Sequence, residues 1–176
     1  MQSAMKAKWI KIQTSELDGL WRRGVFQKVL RPSLTPQDHV FTSRSHYKVK
    51  PTGGECDKCK ARLVVQGQHM RRKGEDSVRD YDDAFSPVLA ASGFRNILSL
   101  DAQQNTFTDH VDFSQAFVQG ELQTGDGCNG KVYISSPPGY HKDTLCVYHL
   151  LKPLYSMPSA AKAWHTTMSA FRAKEG

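Results

Sequence analysis

Apolar positions near the start of the chain recur at helical spacing. Met5, Trp9, Ile12 and Leu20 approximate one face of a helix from Met1 to Leu20, with Lys6, Lys8 and Lys11 outside it. Gly24 breaks the pattern, "VFQKVL" reads as a short strand, and "RPSLTPQD" is a loop carrying two prolines. In "HYKVKPTGGECDKCKARLVVQG" two strand-like runs flank Thr52-Gly53-Gly54-Glu55, a hairpin signal. Alternation puts Lys48 and Lys50 on one face of the first arm, and Lys60 with Arg62 on one face of the second. Such a cationic ribbon is either a sheet edge guarded by lysines or a lid that grips phosphates.

The stretch "QHMRRKGEDSVRDYDDAFSPV" is polar and turn-rich, and reads as a long loop. Ala90, Ala91, Phe94, Ile97, Leu98 and Asp101 predict a helix within Pro87 to Gln103, with Ser92 a candidate cap. A strand from Phe107 to Phe113 is expected next, then a short helical turn to Gly120 and a "GDGCNG" loop. "KVYISSPPGY" predicts a strand ending in a proline turn, and "LCVYHLL" another strand. Met157, Ala160, Ala161, Trp164, Met168 and Phe171 share one face of a closing helix, with Ser156 as candidate cap and Pro158 in its first turn. Strands and helices mix without strict alternation, which predicts an α+β architecture in one domain without internal repeats.

The chain has 176 residues, 39% hydrophobic and 23% charged, so it is globular in character rather than collagen-like or disordered. No apolar run approaches the roughly 20 residues that span a bilayer, and no apolar signal region follows Met1. The expectation is a soluble, intracellular, non-secreted protein without a membrane partner. Lys and Arg number 24 against 17 Asp and Glu, a net charge of +7, which suits a polyanionic partner but does not decide for one. Of four cysteines, Cys56 and Cys59 form one C-x-x-C while Cys128 and Cys146 stand apart. A structural zinc needs two further ligands of similar spacing, so these read as thiols in a reducing compartment.

The chemistry concentrates at "FTDHVDFSQAFVQGEL". A carboxylate leaving a rigid apolar strand is a sound place for one divalent-ion ligand, because magnesium takes carboxylate oxygens together with substrate phosphates. Asp112 would be that ligand, the Phe113 carbonyl could add an oxygen, and Phe117 would lie near the sugar of a nucleotide. Asp is also a favoured helix N-cap, and spacing alone leaves both readings of Asp112 open.

Six blocks in order resemble the reverse transcriptase of copia-type retrotransposons (the Ty1/copia group). "KCKARLVVQG" is similar to the family's "KARLVAxG", "DYDDAFSPV" to "DYxETFSPV", and "FRNILSL" to "IRxLLxxA". "HVDFSQAFVQGEL" resembles "QxDVxxAFLxGxL", "VYISSPPGY" resembles "VYMxxPPGF", and "VYHLLKPLYSMPSAAKAWH" resembles "VxxLxKxLYGLKQxPRxWY". The resemblance covers nearly the whole chain. It implies a reverse-transcriptase-like fold, with residues 1–106 mainly fingers and residues 107–176 the first part of the palm and a following helix.

The resemblance also implies roles. Asp112 matches the first metal-binding aspartate of the palm, Phe113 would supply a backbone oxygen, and Phe117 matches the aromatic that excludes ribose. Arg62 matches the fingers arginine on the incoming triphosphate; its planar fork suits phosphate oxygens. Lys60, Lys50 and Lys48 are further candidates for the same anion. The implied reaction is template-directed DNA synthesis from dNTPs on an RNA or DNA template-primer, with Mg2+ or Mn2+. The implied partners include the rest of the retroelement polyprotein: integrase, the remaining palm and RNase H. Tyr81-Asp82-Asp83 falls before Asp112 and lacks the spacer of the Tyr-x-Asp-Asp hairpin, so it reads as structural or surface.

Two departures stand out. Glycine and glutamine of "LYGLKQ" become Ser156 and Ser159; the resemblance implies a dNTP-binding position at Ser159, whose side chain is too short for a direct contact. No second palm aspartate pair precedes Gly176, so the sequence leads to the expectation of a chain truncated before the double-aspartate hairpin and inactive alone. The alternatives are a non-catalytic nucleic-acid-binding remnant or an inert fragment of a decayed element.

Overall fold

A computed structural model describes residues 2–51, 58–70, 80–109, 111–123, 125–127, 131–137 and 145–175. Helix α1 (Gln2–Arg22) buries Leu17 and Leu20, while Met5, expected on its inner face, is exposed. Gly24 follows with φ +62, a conformation that glycine adopts without steric penalty. The chain then enters β1 (Phe26–Leu30), with Val25 and Phe26 buried.

Strands β5 (Val132–Ser135) and β6 (Cys146–Leu150) form the middle of a four-stranded sheet ordered β1-β6-β5-β2, where β2 is Val40–Phe41. β6 is antiparallel to both β1 and β5, and β2 runs parallel to β5. The two central strands bury consecutive residues because both faces are covered. Val132, Ile134, Tyr148 and Leu150 meet Leu17 and Leu20 of α1 and Leu154, Met157 and Ala160 near the last helix in one core. Trp21, Phe26 and Tyr148 add a cluster of tilted and edge-on rings.

The expected hairpin is present as β3 (Ser43–Lys50) and β4 (Lys58–Val65), antiparallel. Its turn at 52–55 and Cys56 lie outside the described residues, as does Cys128. Register sets Lys48 opposite Lys60 and His46 opposite Arg62, so both arms turn their cations to the same face. Ala61, Leu63 and Val65 point the other way, into the core beside α1. The hydroxyl of Tyr47 donates to Gln13 Oε1 at 2.9 Å and Gln13 Nε2 donates to Ser45 at 3.0 Å, which ties the hairpin to α1.

Three local expectations differ from the structure. Helix α2 (Ala91–Gln104) forms, but Ala90 is its N-cap, so Ser92 lies inside it, and none of its residues is buried. Phe94, Ile97 and Leu98 make the predicted apolar stripe, yet no described element covers it. No strand forms over 107–113 among the described residues; Asp112 sits on irregular backbone. A strand needs a ladder partner for its amides and carbonyls, and no described strand lies alongside. The last helix, α3, runs Ala160–Glu175, so Ser156 and Pro158 belong to the turn before it, not to its cap and first turn. The short turn before Gly120 is a 3-10 helix, Ala116–Gln119.

Candidate functional site: a cationic cleft

A cleft of about 820 Å³ opens between α1, β4 and the segment from Asp112 to Phe117. On β4, burial of Ala61 and Leu63 turns Lys60 and Arg62 toward the other face, and both line the cleft. The Arg62 guanidinium lies over the Tyr155 ring, 5.2 Å from its centroid. Tyr155 is itself held by backbone: its carbonyl accepts the Val65 amide at 3.0 Å, and the segment bridges Val64 in parallel. Burial, then the Glu16 carboxylate, pushes the Tyr155 phenol up, while Arg62 and Arg23 oppose.

The opposite wall starts at Asp112, whose carboxylate is exposed and makes no hydrogen bond or ion pair with a described residue. The cap of the 3-10 helix is Gln115, in the left-handed region at φ 56. Asp112 is therefore not that helix's cap. The turn is anchored by fully buried Val118 and by Gly120, where a Cβ would meet the α3 backbone at Ala163 and Trp164 at 3.2 Å. The Phe113 ring stands edge-on to Trp164 at 5.2 Å, and the Phe117 ring edge-on to Tyr155 at 6.1 Å. Phe117 is half-buried, with its packed side on the core.

Of the residues singled out in the sequence, Asp112, Phe113, Phe117, Arg62 and Lys60 share this cleft. Lys48 and Lys50 are exposed farther along the hairpin and do not line it. Ser159 is buried elsewhere, its hydroxyl beside Asp126, and does not line the cleft either. Asp83 pairs with Lys162 at 3.0 Å, and Tyr81 packs on the core, so that triplet also lies outside.

Pattern reading missed the contribution of α1. Lys11, Ser15, Gly19 and Arg22 fall at intervals of four, four and three, one helical face, and with Glu16 and Arg23 they form a wall of the cleft. That polar stripe was the available signal. Five cationic side chains, Lys11, Arg22, Arg23, Lys60 and Arg62, face two carboxylates, Glu16 and Asp112. Such a cavity is of small-molecule size, and its surplus of positive charge favours an anion.

A family model described as reverse transcriptase (RNA-dependent DNA polymerase) matches residues 29–176. The chain belongs to this reverse transcriptase family. The Pol polyprotein from transposon TNT 1-94 of Nicotiana tabacum is 28% identical over 172 residues, covering 94% of this chain and 12% of the relative. Those from transposons RE2 and RE1 of Arabidopsis thaliana are 30% and 34% identical, covering 75% and 73% of this chain and 8% of each relative. The chain thus spans about a tenth of the length of these retrovirus-related polyproteins. No solved structure matches. No helix among the described residues is long and apolar enough to cross a membrane.

Reverse transcriptases generally use a divalent metal. The Asp112 carboxylate and the Phe113 carbonyl could offer at most three hard oxygens, and no group of three or more potential ligand side chains exists among the described residues. Three oxygens fall short of the roughly six that a magnesium ion takes, so the rest of its shell would have to come from water, substrate phosphates or ligands outside the described residues.

Proposed function

We propose that this chain is the fingers and first part of the palm of a copia-type retroelement RNA-directed DNA polymerase, working within a larger polyprotein. The cleft would receive the triphosphate of a deoxynucleotide opposite a template. Arg62 and Lys60 would bind its phosphates, Phe117 would pack against the sugar, and Asp112 would be one ligand of a divalent ion whose other ligands lie outside the described residues. The observation that carries this reading is that Asp112 and Phe117, on one short segment, line an open cationic cleft together with Arg62, fifty residues earlier in the chain.

Arginine donors that are not consumed by protein partners are available to phosphate oxygens, and charge-assisted bonds of this kind are the strong ones. Arg62 makes no ion pair with a described residue, which supports that use. A planar ring on the wall excludes a ribose 2′-hydroxyl by steric contact rather than by charge. With so few metal ligands among the described residues, these residues alone would bind nucleotide without extending a primer.

The test is primer extension by a polyprotein-length version. Asp112→Asn should abolish extension, and retained synthesis on a primed template would remove the assignment. Phe117→Ala should admit ribonucleotides, and unchanged sugar selectivity would count against its role. A second reading, a nucleic-acid-binding module without catalysis, is favoured by the shared cationic face of the hairpin. It predicts steeply salt-dependent binding with no nucleotide-dependent step.

A further inference from the structure

Glu16 is the one cleft residue that is acidic, partly buried and unaccounted for by the reading above. It lies on α1, before residue 29 where the family match begins. We propose that Glu16 is a built-in counter-charge: its carboxylate competes with the ligand's phosphates for Arg62 and Arg23, so the cleft favours polyanions of high charge density. This rests on the anion-binding reading of the cleft.

The geometry is of charges held apart. Glu16 Oε1 is buried with no hydrogen-bond partner among the described residues, and Oε2 receives only a long 3.5 Å bond from Gln115 Nε2. Arg62 is stacked on Tyr155 rather than paired with Glu16, although its charge acts on that carboxylate. A buried carboxylate without close partners is costly, and a pair able to close on itself would ordinarily do so. Here the opposite charges flank open space of ligand size instead.

The surroundings give the direction of the effect. Burial raises the Glu16 pKa, while Arg62 from β4 and Arg23 from α1 oppose it. Tyr155 packs from the third side, and Lys11, Lys60 and Asp112 line the rest of the cleft. An anion seated on Arg62 takes away the charge that keeps Glu16 ionised, so anion binding and proton uptake at Glu16 reinforce each other. A weakly charged ligand gains too little from the arginines to overcome the carboxylate. A triphosphate gains enough.

The experiment is calorimetric binding of inorganic tripolyphosphate to the whole 176-residue chain. Glu16→Gln keeps an acceptor for Gln115 and removes the charge, so its affinity should rise about three- to tenfold, as expected for a unit charge nearby in a partly solvated site. Arg62→Ala should weaken binding. An unchanged or lower affinity in Glu16→Gln overturns the inference, including when only its melting temperature moves. Should neither protein bind, the anion-binding reading fails and the inference falls with it; binding by Glu16→Gln but not by the wild type supports both the cleft and the counter-charge. If Glu16→Gln does not fold, NMR titration of the wild-type Glu16 carboxyl carbon decides. Tripolyphosphate should move its midpoint upward, and an unmoved midpoint overturns the proposal.

Discussion

The backbone carbonyl of Ser156 occupies the space that a side chain on Gly67 would need: a Cβ there would lie 1.9 Å from the oxygen. Gly67 ends the block that carries Arg62, and Ser156 follows Tyr155, on whose ring Arg62 rests. The two segments are joined by the Val65 amide to the Tyr155 carbonyl, so this contact fixes Tyr155, which lines the cleft, against the strand that carries Arg62. Gly67→Ala must push two backbones apart. It should destabilise the fold by about 2 kcal/mol or more, read from the urea midpoint. A shift below about 0.5 kcal/mol would mean that the segments separate freely.

Ser156 has φ +67, where a residue with a Cβ is disfavoured and glycine is not. The corresponding block of the copia-type family has glycine. Ser156→Gly should stabilise the chain by about 0.5–1 kcal/mol, relief of strain being partly offset by the freer unfolded chain. Thermal unfolding of the two proteins side by side checks the sign.

Asp126 is buried, and burial pushes its carboxyl above the ordinary 3.8, with the Asp82 carboxylate adding and Ser159, the Gln123 amide and Lys162 opposing. An acid that holds its proton more tightly when folded adds stability that is fully present at low pH. That contribution is lost as pH rises past 3.8 and through the raised folded value. Asp126→Asn keeps an acceptor for the Gln123 amide, 3.0 Å away, and cannot ionise. Its melting temperature should match the wild type near pH 3 and exceed it at neutral pH. A difference that stays constant with pH would exclude burial of the charge as the cause.

Arg62 is expected to act through its planar fork and not through charge alone. Arg62→Ala should reduce triphosphate affinity by about 1.5–3 kcal/mol, the range for hydrogen bonds to charged groups. Arg62→Lys, which keeps the charge but loses the fork and most of the stacking on Tyr155, should recover only part of it. Full recovery by lysine in a binding titration would reduce the role to electrostatics.

The uncovered stripe of α2 separates pattern from packing. Phe94 is 49% exposed and Leu150 is 0% exposed. Phe94→Ala should change stability by about 0.5 kcal/mol at most, whereas Leu150→Ala should cost about 2–5 kcal/mol. Equal losses in denaturant unfolding would mean that α2 is covered in solution.

Local order along the chain was legible in the sequence wherever neighbours in sequence are neighbours in space. The hairpin of Lys48, Lys60 and Arg62, the core strands around Ile134 and Tyr148, and the turn before Gly120 follow from periodicity and turn chemistry, which act over a few residues. The family was legible as well, because six blocks keep their order. Tertiary structure alone decided the rest. Among the described residues it left 107–109 and 111–113 without a ladder partner and α2 without a cover, since alternation and helical spacing specify a face but not what meets it. It removed Ser159 from the cleft into the core, and it brought α1, with Glu16, Arg22 and Arg23, across from Asp112. Those placements depend on contacts between segments distant in the chain, and no local pattern encodes them.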